Sequence, residues 1–551
     1  MQYQPFLISN LRTAKSIGLE PWLTPEDGFP TIINAHVNKG VLEKRRGWSL
    51  FAQMKHGAVA QTATSIQGIK TYLKNGMPDL LIMDTKRCNF YNPVDETMTD
   101  ISSDLDTPAD IFSGKATDFF HFCNWLGVGY MVNNVDQIHK YEGAGSAVVP
   151  FNYQISSDSK TNHLDTCRFI FVKDDRLCFL DTVEFGDWCP QRFRYSPVLS
   201  VDGTQSGGGY VDCPTQQRVC AAGFVGKDLA VYMQGAGEGS LWRIKSTGNA
   251  DIPFRWDKVT ETEVIRSPYS GVEIKDGLAA VGATNIVFYD GFKIKDMDIP
   301  NLRDILDEFN DVYVRSVFSY NQKEERHLLL TFADSSSSSV DRILDYNIIE
   351  NNWTVHKSEQ SFFINCIGGF NGQMVPTWLK ADDVYTGADG ALMSAMDIDS
   401  REILGSPSPF TLIGCRNSRV YKWNDGNYDG TDDDNGKIEI DIRSGRWNPF
   451  TKIGRKAKLQ KIDFFVNRDS TASFLASLYK DAGDIDSDTA YKSKTLTLSG
   501  TANKDKIWVP FWAGGEVANF HQLKISHTEK ANRPRIHALV LYMKPAGHSN
   551  L

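Results

Sequence analysis

The stretch Ile286-Val287-Phe288-Tyr289-Asp290-Gly291-Phe292-Lys293-Ile294 decides the reading of the fold. A short apolar run ends on an aromatic residue, a polar turn follows, and a new strand-like run begins. Looser copies lie at Tyr91-Asn92-Pro93, Tyr141-Glu142-Gly143, Phe179-Leu180-Asp181, Trp242-Arg243-Ile244, Tyr346-Asn347-Ile348 and Trp423-Asn424-Asp425. From the first aromatic to the last there are six steps over 332 residues, a mean near 55, and the steps range from 38 to 77. Recurrence at roughly 40 to 50 residues, each unit made of short strands, is the signature of propeller blades. One four-stranded blade cannot bury its faces alone, whereas a ring of blades packed face to face can. The expected fold is all-β: a β-propeller of about six to eight blades followed by a C-terminal β-sandwich.

The totals agree with a folded, turn-rich β protein: 551 residues, 41% hydrophobic, 11% aromatic, with 44 Gly and 21 Pro. A net charge of −9 speaks against a general nucleic-acid coat, which needs a basic face to release counterions from phosphate. It is compatible with a conduit that DNA passes without being gripped. No apolar run approaches the roughly 18 residues that cross a bilayer, and the start Met1-Gln2-Tyr3-Gln4-Pro5-Phe6-Leu7 lacks the order of a secretion signal. Nine scattered cysteines without a Cys-x-x-Cys spacing read as free thilos of a reducing cytoplasm, with no zinc site.

Three regions follow from the pattern. Residues 1–55 form an N-terminal segment that contributes to ring contacts or blade closure, 56–435 the propeller, and 436–551 the sandwich. The first blade reads as Ile66 to Leu73, Leu80 to Met83 and Cys88 to Tyr91. Gly207-Gly208-Gly209 has no following Lys-Ser or Lys-Thr and no helix signal, so it reads as an inter-blade loop instead of a phosphate loop. Pro300 to Phe309 breaks the β pattern with Leu302, Ile305, Leu306 and Phe309 on one helical face, and a strand is expected from Val312 to Tyr320. The sandwich boundary is a composition swing. Residues 425–434 hold five Asp and no base, while 437–461 hold eight Lys or Arg against two acids, and seven alternating strands follow.

Chemistry is sparse. Asp425-Gly426-Asn427-Tyr428-Asp429-Gly430 matches the opening half of a calcium loop, with Asp425, Asn427 and Asp429 as oxygen ligands, but the twelfth position is Gly436 where a bidentate Glu belongs. An acidic linker is the plainer reading, and Asp432, Asp433 and Asp434 are candidates for contact with a basic partner. Lys44, Arg45 and Arg46 could meet phosphate or a partner's acids, though such a trio is more often a solvated turn. Arg455, Lys456 and Lys458 are the matching basic candidates at the sandwich entry. Adjacent acids such as Asp174-Asp175 and Asp382-Asp383 point to opposite faces of a strand and make poor acid/base pairs. There is no Gly-x-Ser-x-Gly elbow, and a lone His121 or His537 reads as a satisfied strand residue. No catalytic residue and no cofactor are expected, and the chain is not expected to be an enzyme.

The run from Gly28-Phe29-Pro30 through Asn34 to Gly40-Val41-Leu42-Glu43-Lys44-Arg45-Arg46-Gly47-Trp48 resembles the opening of tail hub or nozzle proteins of short-tailed bacteriophages. Val420-Tyr421-Lys422-Trp423 with its acidic loop, Gly454-Arg455-Lys456-Ala457-Lys458, and Phe520 to Ile525 before Arg535-Ile536-His537-Ala538 resemble the far end of the same group. Lys44 to Arg46 stand where an Arg-Pro pair is expected. The resemblance implies a structural protein of the virion tail, assembled in the host cytoplasm as a homo-oligomeric ring, a hexamer. It further implies portal-adaptor (head-to-tail connector) proteins and tail fibres or a tail needle as partners, and genomic DNA passing without sequence-specific binding. Within such a ring the acidic Asp425 to Asp434 loop and the basic Gly436 to Lys461 segment are expected to meet across subunits. The alternative from another class is a host-surface propeller that binds or hydrolyses polysaccharide; it requires an aromatic- and acid-rich pocket at the blade mouths.

Overall fold

A computed structural model describes residues 2–9, 11, 24–74, 77–92, 97–102, 110–155, 163–262, 264–275, 277–297, 302–358, 363–370, 409–430, 436–469, 472–483, 485–499, 505–527 and 533–548. The described chain is almost entirely β, as its alternating runs require. Six sheets or sheet segments of four consecutive antiparallel strands follow one another. They begin at Ile66–Lys74, His121–Trp125, Leu164–Lys173, Arg218–Val225, Val272–Ile274 and Phe318–Gln322. A seventh unit takes Ile364–Phe370, Phe410–Cys415 and Arg419–Lys422 from the end of this region and its fourth strand, Trp48–Gln53, from the N-terminal part of the chain. Neighbouring units pack in order around a ring, and the seventh packs back on the first through Ile364–Phe370 and Ile66–Lys74. This is a propeller whose first-to-last closure is a strand pairing, Arg419↔Gln53 to Lys422↔Ser49, across more than 360 residues of sequence.

From Ile66 to Ile364 the first strands advance by about 50 residues per blade, a tighter repeat than the aromatic phrase gives. The phrase marks third strands. Tyr91, Tyr141, Trp242, Tyr289 and Tyr346 lie on them and Trp423 directly follows one, but Phe179 lies on the second strand of its blade. The turn at Asp290-Gly291 is held by Asp290 Oδ1, which accepts the N–H of Phe292 and Lys293, with Gly291 at φ 93°. Ile305, Leu306 and Phe309 are buried, and the expected helix runs Leu302–Asp307. The strand expected from Val312 is corrected: Asn310 Oδ1 caps a 3-10 turn at Asp311–Ser316, and the strand starts at Phe318. Gly207 and Gly208 lie within the third blade, between its third and fourth strands, and Gly209 opens the fourth, so the inter-blade placement is also corrected.

The seven strands read for the sandwich are present from Ile440–Arg443 to Arg535–His548, but four more come from the N-terminal segment. One sheet runs Ala35–Asn38, Val41–Lys44, Arg535–His548, Arg455–Asn467, Lys506–Ala518, with Gln4–Ser9 pairing alongside Arg535–His548. The other holds Thr31–Ile33, Ile440–Arg443, His521–His527, Ser473–Lys480 and Lys492–Thr497, and joins the sixth blade through the parallel pair Ile33↔Val355. One apolar core lies between the sheets, with Val37, Leu42, Phe464 and Leu541 from one side and Ile32, Ile442, Phe474 and Ile525 from the other. The boundaries drawn at 56 and 436 therefore do not follow the sheets. Residues before about 45 belong with the sandwich, and the propeller is inserted between its strands. No described helix is long and apolar enough to cross a membrane.

Candidate functional site

The first strands of all seven blades surround the axis, and the 50-residue repeat places aromatic rings at one level along it. Phe119, Phe169, Tyr269 and Phe318 form a layer, with ring centroids 5.1 Å apart for Phe119–Tyr269, 5.0 Å for Phe119–Phe318 and 6.1 Å for Phe169–Tyr269. Tyr269 borders a cavity on each side of this layer. Close approach of the blades fixes the layer. A Cβ on Gly368 would sit 2.5 Å from Ile69 O, and one on Gly271 2.7 Å from Ala221 Cβ, so those positions leave no room for a side chain.

The cavity on one side has a volume of about 410 Å³ and receives residues from every blade. Its walls carry Phe120, Phe169, Phe171, Tyr269, Phe318 and Tyr320, among which stand Lys70, His121, Glu273, Asn321, Lys323 and Glu324. His121 packs edge-on against Phe169 and Phe171, at 5.4 and 4.8 Å, and its Nδ1 accepts the Ile170 N–H at 3.3 Å. Burial, reinforced by the Lys70 charge, pushes the His121 imidazole down to about 3, so it is neutral at ordinary pH and presents Nε2–H as a donor. Burial also lowers the Lys70 ammonium. Glu273 Oε1 accepts the Phe224 N–H at 2.6 Å, and Asn321 Nδ2 donates to the Glu273 carbonyl at 2.6 Å, which ties the fifth blade to the fourth and sixth. Ser319 Oγ is buried in the wall and has no hydrogen-bond partner among the described residues. An apolar, aromatic enclosure with a few fixed donors and two carboxylates is the ordinary constitution of a small-ligand pocket.

The residues singled out in the sequence lie elsewhere. Arg45 is not in a solvated turn. It is 1% exposed, with Nη1 donating to Asp429 Oδ1 at 2.7 Å, Nη2 to Asp429 Oδ2 at 2.5 Å and Nε to Asn34 Oδ1 at 3.0 Å, and its guanidinium stands 4.6 Å from the Trp48 ring centroid. Lys44 is buried as well, whereas Arg46 is exposed. The same pair corrects the calcium reading. Asp429 is 1% exposed and both its oxygens are spent on Arg45, with burial pushing its carboxyl up against the pull of that charge. Asp425 Oδ2 accepts the Ser49 hydroxyl, and among the described residues no cluster of His, Cys, Asp or Glu could hold a metal ion. Asn427 lies in the turn beside them. Asp432, Asp433 and Asp434 lie outside the described residues, as does the Asp382-Asp383 pair. Arg455 is exposed and Lys456 and Lys458 half-buried at the start of the strand Arg455–Asn467. The described part of the acidic loop thus meets Arg45 of the same chain through Asp429.

Sequence reasoning missed Lys70, Glu273 and Glu324 and dismissed His121. The available signal was the 50-residue spacing of Ile69, Phe119, Phe169, Val219 and Tyr269, which places their neighbours on one axis.

No protein-family model matches this sequence, and no curated protein matches it. Solved structures do. The chain is similar to the computationally designed Ika8 protein, with a TM-score of 0.35 at 7% identity over 73% of this chain and 98% of that one. It is also similar to exo-β-1,3-galactanase from Phanerochaete chrysosporium, solved as two variants with β-1,3-galactotriose. Those matches have TM-scores of 0.26 and 0.27 at 9% identity, covering 80% and 91% of this chain and 98% and 100% of that one. The galactanases among the matched structures overturn the expectation that the chain is not an enzyme. At these TM-scores they lend it no activity, and its chemistry has to be argued from its own side chains.

Proposed function

We propose that the propeller is a carbohydrate-binding module whose ligand enters the 410 Å³ axial cavity, with Glu273 and Glu324 as the carboxylates available should it also hydrolyse what it binds. The observation that carries this reading is the composition of the wall: six aromatic rings interleaved with the ammonium of Lys70, the neutral imidazole of His121, the amide of Asn321 and two glutamates. Sugar rings offer apolar faces to aromatics and hydroxyls to fixed donors and acceptors, and this wall supplies both. The test is calorimetric titration with neutral oligosaccharides, alongside reducing-sugar release, for the parent protein and for Glu273→Gln, Glu324→Gln and His121→Phe. Binding that weakens in His121→Phe supports the reading, and turnover lost in either glutamate variant would extend it to hydrolysis. A parent protein that binds none of a broad glycan panel refutes it.

A second reading, the ring-forming tail hub, rests on the sequence resemblance and on one surface. The strand Lys506–Ala518 is a 13-residue sheet edge with Trp508 and Trp512 half-exposed, and Trp512 lies beside Lys461. Long edges of this kind are templates for pairing with another chain. In such a ring the DNA channel would run between subunits, since aromatic packing closes the propeller axis. Sedimentation at two salt concentrations, with and without adaptor complexes, tests this reading. A discrete ring sensitive to Trp512→Glu supports it, and a persistent monomer in all conditions rejects it.

A further inference from the structure

On the other side of the aromatic layer the axis ends in a second cavity of about 230 Å³, and its wall is basic. Arg168, Arg218, Arg266 and Arg315 line it, from the third to the sixth blades, at intervals of 50, 48 and 49 residues. One guanidinium per blade is thus delivered to the same end of the ring by the repeat itself. The carboxylate in the wall is that of Asp118, which accepts the Lys115 N–H at 2.7 Å. Asp181, behind the wall and fully buried, accepts Arg168 Nε at 2.6 Å.

Three of the four arginines are held in place by the protein through a minority of their donors. Arg168 uses Nε on Asp181, Arg218 uses Nη2 on Gln234 Oε1 at 3.2 Å, and Arg266 uses Nε and Nη2 on the carbonyls of Gly282 and Ala283 at 3.1 and 2.7 Å. Arg315 is exposed at the rim. A guanidinium has five N–H donors and does not lose its charge in a protein, so it cannot relieve repulsion by deprotonating. Set against the carboxylates of Asp118 in the wall, Asp181 on Arg168 and Asp311, 3.7 Å from Arg266 Nη1, the four guanidinia still leave a positive excess around so small a space, which favours an anion. Planar forks pre-positioned by second partners are suited to the paired oxygens of a tetrahedral oxyanion.

We infer that this end of the propeller axis is a binding site for a compact polyanion bearing phosphate or sulfate groups, separate from the aromatic cavity and independent of the sugar-binding reading. Arg168, Arg218 and Arg266 form its fixed floor and Arg315 its adjustable lip. Binding is salt-sensitive, because the attraction acts partly through solvent-exposed charge.

The test is calorimetric titration of the full chain at low salt with two probes, sodium tripolyphosphate and a disulfated monosaccharide, for the parent, Arg218→Gln, Arg315→Gln and, as a control, Arg255→Gln, whose side chain is 63% exposed on an outer strand. Circular dichroism and the thermal midpoint without ligand verify folding; should Arg218→Gln fail to fold, exposed Arg315 supplies the variant that does. The expected result is saturable binding of at least one probe, weakened roughly tenfold in each cavity variant through the loss of one charge-assisted bond and unchanged in Arg255→Gln. Which probe binds more tightly identifies phosphate or sulfate as the preferred group. No saturable binding of either probe, or equal weakening by Arg255→Gln, overturns the proposal. Tripolyphosphate has no sugar ring, and weakening in Arg218→Gln or Arg315→Gln assigns binding of the disulfated sugar to this end of the axis, so the outcome is independent of the glycan panel.

Discussion

Replacing Arg45 by Met should destabilise the protein more than any other single change at the junction of propeller and sandwich. Arg45 gives two bonds to Asp429, one to Asn34, and others to the carbonyls of Arg46 and Lys357 at 3.0 and 3.3 Å. Asp429, paired by its backbone with Trp48, belongs to the sheet of the seventh blade. Truncation leaves the Asp429 carboxylate buried without its counter-charge, a loss of about 3–5 kcal/mol. The hydrogen bonds are part of that figure and not additional to it, since contacts sharing one side chain do not add. Asn34 Oδ1 keeps the Lys357 N–H at 2.8 Å, so its acceptor is not orphaned. Removing both charges with Arg45→Met/Asp429→Leu should therefore restore most of the loss, because a buried pair replaced by apolar groups of similar volume is often neutral. The assay is urea unfolding followed by tryptophan fluorescence; Trp48 and Trp423 stack at 5.7 Å beside the pair and report on it. A single variant within about 0.5 kcal/mol of the parent, well below the expected loss for an uncompensated buried charge, would refute the reasoning. So would a double variant as unstable as the two singles summed.

Three other outcomes are expected. Burial opposes the ionisation of Glu43, but His36 at 3.1 Å and Arg535 at 2.8 Å outweigh it and bring the carboxyl from 4.5 down to about 2; a folded-state value below the unfolded one contributes stability present above pH 4.5 and lost as pH falls towards 2. Unfolding midpoints between pH 6 and 2 should thus fall less steeply for Glu43→Gln, and parallel curves would count against the pairing. Gly368→Ala should cost about 1–3 kcal/mol by forcing the first and seventh blades apart, whereas Gly483→Ala, which meets nothing within 4 Å, should be neutral; equal midpoints for the two variants would contradict the ring closure. Phe119→Ala, at a fully buried position in the axial layer, should cost about 3–5 kcal/mol, and a loss under about 1 kcal/mol, too small for a truncated core aromatic, would show that the layer is not packed across the axis.

Strand identity was legible wherever it is local. Period-two alternation between turn residues gave the first blade and all seven C-terminal sandwich strands, and Asp290-Gly291 announced the turn that its side chain and backbone make. The failures share one cause. Val312 to Ser316 alternates in composition, but Asn310 caps a 3-10 turn there, a competition that apolar periodicity does not register. Phe179 carries the aromatic phrase on a second strand because its blade places Phe193 and Tyr195 on the third. Lys44 to Arg46 looked like a solvated trio, since nothing near them in sequence shows that Asp429, 384 residues away, would bury Arg45.

By itself, then, the sequence determined the all-β character, the recurrence of blade-sized units and the strands of the C-terminal sandwich, because alternation and turn chemistry act between residues a few positions apart. The tertiary structure alone decided three things. It assigned the N-terminal strands to the sandwich and Trp48–Gln53 to the last blade, paired Arg45 with Asp429, and brought side chains of successive blades together at the axis. Each is a contact between residues tens to hundreds of positions apart, fixed by which edges remain unpaired and which charges remain unmatched once the local elements have formed.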